Sequence, residues 1–306
     1  MYKTLLVPID GSAFSARAIP VAAALAKRTG ATVHVTMVHD PSAFIPFLPG
    51  DGVMPVFDST LAQARRDTDQ TLITREVETL RATGIRAEGT LLEGTVVESV
   101  LEFAQQIAAE LTIMTTHGRS GFARLRVGSV TSAYLARATS PVFLVHGAGD
   151  DSVAQQQSSL PSGTMLCAFD GLPFAEALLP HAVNFAQSAG LTMELFGVVV
   201  PVAVATAPFG TEAMLADPEQ LTVDENARQK YLDRLAVGCP KGTTTRTVID
   251  MAPARAIVEA SVKSGAGAIA IATHGRGGFS RLVLGSVTDQ VLRHTALPIF
   301  VYRPEK

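Results

Sequence analysis

One stretch of the chain occurs twice, and this duplication constrains the fold more than any other feature. THGRSGFARLRVGSVT begins at Thr116 and THGRGGFSRLVLGSVT begins at Thr273, and the two agree at 12 of 16 positions with an offset of 157 residues. An offset of 160 residues also aligns LLVPIDG, which begins at Leu5, with MLCAFDG, which begins at Met165. The sequence therefore predicts a tandem pair of related domains.

The domain boundaries follow from length and local composition. A chain of 306 residues suits two domains of ordinary size. Residues 147–162 are rich in Gly, Ser and Gln and lack apolar periodicity, which is typical of a flexible linker. We therefore expect a first domain at residues 1–146, a linker at 147–162 and a second domain at 163–306.

Composition excludes several classes of function. The 25 basic and 28 acidic residues nearly balance, so no basic footprint for nucleic acid or anionic lipid is visible. Two cysteines without C-x-x-C spacing favour a reduced compartment over a disulfide framework. The apolar runs are too short to span a bilayer, and the first one has the length of a strand rather than of a signal-peptide core. We expect a cytoplasmic protein without a nucleic-acid or membrane partner.

Strand-like and helix-like segments alternate in the first copy. The runs LLVPID, VHVTMVH, EGTLLE, LTIMTT and VFLVH have the short, nearly continuous apolar character of strands buried in a parallel sheet. The segments Ser15–Arg28 and Val96–Ala109 place apolar residues three or four apart, as amphipathic helices do. The alternation predicts, for each copy, a doubly wound α/β domain with a five-stranded parallel sheet and helices on both faces.

A doubly wound sheet also predicts where a ligand binds. Ligands of such sheets lie at the carboxyl ends of the strands, at the point where the strand order reverses. Asp10 closes the first strand and Gly118 follows the fourth. If the strand order is 3-2-1-4-5, both residues face one crevice.

The glycines of the repeated stretch suit a phosphate site. Amides without a neighbouring Cβ, placed before a helix whose amino end is partially positive, bind anions well. Gly118 and Gly128 provide such amides, and Ser129 could cap the next helix or offer its hydroxyl to phosphate. The residues alone leave open that these glycines only turn the chain. They equally leave open that Asp10 is an Asp-Gly turn former rather than a ligand contact.

Known phosphate-binding fingerprints are missing from the sequence. There is no G-x-x-x-x-G-K-[ST] motif, and the first strand is followed by Asp-Gly-Ser-Ala rather than by G-x-G-x-x-G. A nucleotide would therefore have to be bound by a different scheme.

The motifs V-P-I-D-G-S, T-T-H-G-R-S-G and G-S-V-T, in this order, resemble the universal stress protein family. The resemblance covers both copies and nearly the whole chain outside the linker. It implies a stress-response protein that binds ATP in each domain, with magnesium as an accompanying ion, and that acts as a nucleotide-dependent regulatory module on an unknown protein partner. It also implies that the two copies pair through their fifth strands as a pseudo-dimer; homodimers of whole chains are left open.

The resemblance assigns site residues position by position. In the first copy it implies that adenine, ribose and phosphates contact Asp10, Val38, Met114, Gly118, Gly128, Ser129 and Val130. In the second copy the matching positions are Asp170, Val198, Ile271, Gly275, Gly285, Ser286 and Val287. The second copy departs further from the family pattern, since Pro8 becomes Ala168 and Gly94 becomes Met251.

The sequence shows no apparatus for fast chemistry. Neither a nucleophile with a matching base, nor a metal-ligand cluster, nor a phosphate-loop lysine is recognisable. We interpret His117 and His274 as local hydrogen-bonding residues and the segments Pro41–Thr60 and Val202–Asp224 as variable connections. Two alternatives stay open beside a nucleotide-binding regulator, namely a slow ATP or AMP hydrolase and a nucleotide-free interaction scaffold.

Overall fold

The computed structural model describes residues 1–39, 59–116, 127–146, 159–201, 218–273 and 285–304. The first half contains β1 (Thr4–Pro8), a 3₁₀ turn (Ser15–Arg17), α1 (Ala18–Thr29), β2 (Thr32–His39), α2 (Ser59–Ala82), β3 (Ala87–Glu93), α3 (Val96–Gln106), β4 (Leu111–Thr115), α4 (Ser129–Leu135) and β5 (Val142–Val145). The second half contains β6 (Thr164–Phe169), α5 (Pro173–Glu176), α6 (Leu178–Ala189), β7 (Thr192–Val199), α7 (Pro218–Ala236), β8 (Thr244–Ile249), α8 (Pro253–Lys263), β9 (Ala266–Ala272), α9 (Ser286–His294) and β10 (Ile299–Tyr302). The predicted alternation of strand and helix is confirmed in both copies.

The ten strands form one sheet in the order β3-β2-β1-β4-β5-β10-β9-β6-β7-β8. Within each half the neighbouring strands are parallel, and the order 3-2-1-4-5 is the predicted one. Between the halves, β5 and β10 run antiparallel, with Phe143 opposite Phe300. The fifth strands therefore pair with each other, as the resemblance implies, and β3 and β8 form the outer edges.

Some element boundaries differ from the predicted ones. The segment predicted as one helix, Ser15–Arg28, begins with a 3₁₀ turn before α1. Helix α1 ends at Thr29 and is followed by Gly30, which is in the left-handed conformation at φ 72°. The helix predicted to reach Ala109 ends at Gln106. The connections predicted at Pro41–Thr60 and Val202–Asp224 end in helix, because α2 begins at Ser59 and α7 at Pro218. Their remaining residues, and most of the predicted linker, lie outside the described residues.

A layer of helices covers each face of the sheet. Side chains of α1, α2, α6 and α7 pack in one apolar cluster, and side chains of α3, α4, α8 and α9 pack in the other. Both clusters contain residues from both halves, so the two copies share their cores. At the seam between the halves, the ring centroid of Phe185 lies 4.6 Å from that of Phe143 and 5.1 Å from that of Phe300. Aromatic pairs at such distances stabilise a core beyond the burial of their area.

Shortening Phe300 to alanine should destabilise the chain as a whole. The side chain is fully buried, and its removal leaves a cavity between the halves, so we expect Phe300→Ala to cost about 3–5 kcal/mol of unfolding free energy. Urea denaturation measures the loss. Val237→Ala, at a side chain that is 87% exposed, should change stability by less than about 0.5 kcal/mol. Equal, small effects for both variants would show that the seam is not a packed core.

Stability should also fall on mild acidification. Burial lowers the pKa of His181, whose ring centroid lies 4.1 Å from that of Tyr302, and burial likewise lowers the pKa of His34. Below the ordinary histidine pKa of 6.5 the unfolded chain takes up protons that the folded chain does not. The free energy of unfolding therefore decreases as the pH falls through that window.

Urea denaturation between about pH 7.5 and about pH 5.5 measures this dependence. We expect the pH dependence to be shallower in His181→Gln than in the wild-type protein. His294→Gln, the same substitution at an exposed helix end, serves as the comparison for the effect of replacing a histidine by glutamine. A His181→Gln variant with the wild-type slope would contradict the assignment.

Candidate functional site

Two pockets lie at the carboxyl ends of the central strands, one in each half. The first pocket has a cavity of about 390 Å³ between β1, β2 and β4, and the second has about 580 Å³ between β6, β7 and β9. Both volumes are in the usual range of small-molecule sites. They lie where the strand order reverses, which is the position predicted for a ligand.

The pockets are lined by every described residue that the sequence predicts for the two sites. The first pocket is lined by Asp10, Val38, Met114, Gly128, Ser129 and Val130. The second pocket is lined by Asp170, Val198, Ile271, Gly285, Ser286 and Val287. The two remaining predicted residues, Gly118 and Gly275, lie outside the described residues. Contact of these side chains with a ligand stays a prediction.

The aspartates at the strand ends build the turns that open the pockets. One carboxylate oxygen of Asp10 accepts hydrogen bonds from the backbone N–H of Ser12 at 3.0 Å and from its hydroxyl at 2.6 Å. The matching oxygen of Asp170 accepts from the backbone N–H of Leu172 at 3.0 Å. Each turn passes through a glycine at positive φ, as Asp-Gly turns do. Each aspartate is thus a turn former and also lines its pocket.

The helices of the repeated stretch begin at the pockets. Gly128 is the residue before α4, with φ −58° and ψ 152°, and Gly285 precedes α9 in nearly the same conformation. Neither helix has a side-chain cap, so the capping role considered for Ser129 is wrong. Ser129 is instead the first helical residue and is exposed. Because φ is negative, these glycines are not required by the backbone conformation; they leave the helix ends uncovered by a Cβ.

The final threonine of each repeated stretch holds the helix against the strand before it. The buried hydroxyl of Thr131 donates to the carbonyl oxygen of Thr115 at 3.0 Å, and that of Thr288 donates to the carbonyl oxygen of Ala272 at 3.2 Å. The backbone N–H of Gly128 donates to the carbonyl oxygen of Thr116 at 2.7 Å. These bonds fix the first turn of the helix beside the pocket. These bonds were not predicted from the sequence, although the threonine at the end of G-S-V-T is present in both copies.

The wall formed by the long helix differs between the pockets. In the first pocket Nδ1 of His39 lies 3.1 Å from a carboxylate oxygen of Asp69, and Arg65 also lines the pocket. In the second half Val199 takes the sequence position of His39, and Arg228 of α7 lines the wall of the second pocket. None of these residues was predicted to belong to a site, because no pocket wall was predicted on α2 or α7.

One ionisable group of the first pocket is strongly perturbed. Burial raises the pKa of Tyr134 to about 12, and its hydroxyl lies 2.8 Å from that of Thr112. The phenol is neutral, and its hydroxyl is bonded to a residue that does not line the pocket. Across the described ranges, no three His, Cys, Asp or Glu residues are grouped so that they could hold a metal ion. The described helices include none with the length and apolar character needed to cross a bilayer.

Comparison with known proteins matches both halves of the chain to one protein family. Residues 1–146 and 162–303 match the family model described as the Universal stress protein family. A universal stress protein of Mycobacterium tuberculosis is 30% identical over 200 residues, which are 64% of this chain and 62% of that protein. The chain thus spans less than two thirds of the length of the curated mycobacterial relatives it matches.

Solved structures share the fold. A universal stress protein from Archaeoglobus fulgidus superposes with a TM-score of 0.68 at 18% identity, over 98% of each chain. A universal stress protein solved in complex with cAMP is 22% identical and covers 47% of this chain and 97% of its own, with a TM-score of 0.36. The first likeness extends over both halves of the chain and the second over about one.

Removing the hydroxyl that holds α4 should loosen the first pocket. Thr131→Val leaves the carbonyl of Thr115 without this donor, so we expect a loss of about 1 kcal/mol of unfolding free energy and faster hydrogen exchange in the first turn of α4. Thr288→Val should act in the same way on α9. Thr222→Val, which removes an exposed hydroxyl that donates to the carbonyl oxygen of Pro218 at 2.9 Å, is the control. If Thr131→Val matched this control in both measurements, the hydroxyl would not hold the helix.

Proposed function

Because this chain belongs to the universal stress protein family, we propose that it is a stress-response protein whose two pockets each bind an adenine nucleotide, with ATP as the ligand. The observation that carries the proposal is the doubled pocket, lined at the same positions of each half by an aspartate, two apolar residues and a Gly-Ser helix start. Two sites built alike favour a common ligand class. Occupancy would then bias the surface that the protein presents to a partner.

The pocket linings fit the parts of a nucleotide. Val38 and Met114 offer an apolar wall suited to a base, as do Val198 and Ile271 in the second half. The nine-residue helix α9 begins at the second pocket with exposed Ser286, where backbone amides and the helix dipole favour phosphate. Carboxylates such as that of Asp10 accept hydrogen bonds from ribose hydroxyls. The chemistry of the lining thus changes from apolar to anion-binding across each pocket.

The described lining residues support binding better than catalysis. Phosphoryl transfer needs cations on the developing charge of the transferred group, and no lysine is among the described lining residues of either pocket. Arg65 in the first pocket and Arg228 in the second are the arginines of these linings. Any hydrolysis should therefore be slow. Magnesium would be held by the nucleotide phosphates and water, as is usual for this ion.

A change at the helix starts tests the proposal one pocket at a time. Ser129→Glu and Ser286→Glu each add a carboxylate at an exposed first-turn position, where helices tolerate negative charge. The charge should repel phosphate. Isothermal titration of ATP with magnesium into the full chain should show two binding events, one lost in each variant and both lost in the double variant.

The control variant carries the same charge change elsewhere. Gln220→Glu lies in the first turn of α7 at an exposed position that does not line the second pocket. It should bind ATP like the wild-type protein. If wild-type protein bound no adenine nucleotide at millimolar concentration, the nucleotide-free scaffold would be the better description. Phosphate release at a rate that depends on Asp10 and Asp170 would favour the hydrolase instead.

A further inference from the structure

A cationic side chain in the second pocket has one buried donor atom without an acceptor among the described residues. Arg228 projects from α7 into the lining, beside the turn that follows β6. Its Nη1 atom is buried and has no hydrogen-bond partner among the residues that the structure describes. The ring of Tyr231, with its centroid 5.8 Å from the guanidinium carbon, provides an aromatic neighbour but no acceptor for Nη1.

Such a donor calls for an acceptor beyond the described residues. A buried charged donor without an acceptor destabilises the folded state, and native structures rarely retain one. Where they do, an ion, a water molecule or a ligand commonly supplies the acceptor. A guanidinium is suited to oxyanions, because its N–H groups form a planar fork that matches phosphate and carboxylate oxygens.

Two glycines, Gly171 and Gly197, lie against the side chain of this arginine. A Cβ at Gly197 would lie 2.8 Å from both Cγ and Cδ of Arg228, and a Cβ at Gly171 would lie 2.0 Å from Nη1. Gly171 also has a φ of 81°, which favours glycine for its own reason. Gly197 is not at positive φ, so its missing side chain is explained by the space that the arginine stem needs.

The positions of the first half that match Gly197 and Arg228 in sequence carry apolar side chains. The offset of 160 residues matches Gly197 with Met37, which is buried. On the long helix, Arg228 precedes the buried Leu232 and Leu235 with the spacing at which Ile73 precedes Val77 and Leu80. Ile73 is fully buried. A methionine and an isoleucine of the first half thus correspond to a glycine and an arginine of the second.

We propose that Arg228 contacts the ligand of the second pocket and donates to a phosphate oxygen of it, so that this pocket prefers phosphorylated ligands over unphosphorylated ones. The proposal rests on the proposed function only in taking an adenine nucleotide as the ligand. The contact with an oxyanion is inferred from the buried Nη1 atom that has no acceptor among the described residues, and it is independent of the base.

The test compares ligands that differ only in charge. Adenosine, AMP and ATP are titrated into the full chain, and hydrogen exchange of residues 170–175 shows which binding event belongs to the second pocket. Arg228→Met keeps an unbranched stem over Gly197 and removes the guanidinium. We expect it to weaken AMP and ATP binding to the second pocket at least about tenfold, to leave adenosine binding there unchanged and to leave the first pocket unaffected.

Two further variants separate ligand contact from structure. Arg234→Met removes the same charge from the same helix at an exposed side chain, and it should bind every ligand like the wild-type protein. Arg228→Lys keeps the charge and should retain part of the selectivity. Without ligand, the melting temperature of Arg228→Met should not fall, because the variant loses an unsatisfied donor.

The outcomes distinguish this inference from the proposed function. Equal weakening of adenosine and AMP in Arg228→Met, or no weakening of either, overturns the role of Arg228 while nucleotide binding stands. If wild-type protein binds no nucleotide, inorganic pyrophosphate serves as the probe. Protection from thermal unfolding by pyrophosphate that disappears in Arg228→Met supports the oxyanion contact without the nucleotide function, and protection that is the same in both overturns it. A lack of response to every ligand overturns both proposals.

Discussion

The antiparallel pairing of β5 with β10 is the interaction on which the rest of the structure depends. Each half alone would leave an apolar strand with unpaired backbone groups at the edge of its sheet, which is a template for association with other chains. Pairing the two strands removes both edges at once and brings Phe143 and Phe300 into contact with Phe185 from α6. One sheet and two shared clusters then position both pockets.

Much of this architecture can be predicted from the sequence, because the domain is duplicated. Short apolar runs recur at matching offsets, and the alternation with amphipathic helices allows few other folds. The predicted strand order also places Asp10 and Gly118 at one crevice, since parallel strands bring their carboxyl ends to one side of the sheet. Gly118 lies outside the described residues. What could be predicted is therefore the part that depends on backbone topology, namely strand order, seam and the position of the two pockets.

The parts that escaped prediction depend on how side chains of distant elements fit together. The wall made by α2 and α7 is mostly polar in sequence, and only the rotation of each helix over the sheet decides that Asp69 or Arg228 reaches a pocket. The room for Arg228 is made by Gly197 on a different element, a relation that no local pattern reveals. Likewise, the role of Thr131 in holding α4 against β4 can be recognised only once the carbonyl that accepts its hydrogen bond is known.

The direction of the strands at the seam has a consequence for how the two pockets can influence each other. Strands of the first half run parallel to β5, strands of the second half run parallel to β10, and these two strands oppose each other. The two pockets, which lie at the carboxyl ends of their strands, are consequently at opposite ends of the strands of the ten-stranded sheet. Two ligands bound as proposed would therefore not contact each other, and the packed seam of Phe143, Phe185 and Phe300 is a shared structure through which occupancy of one pocket could act on the other.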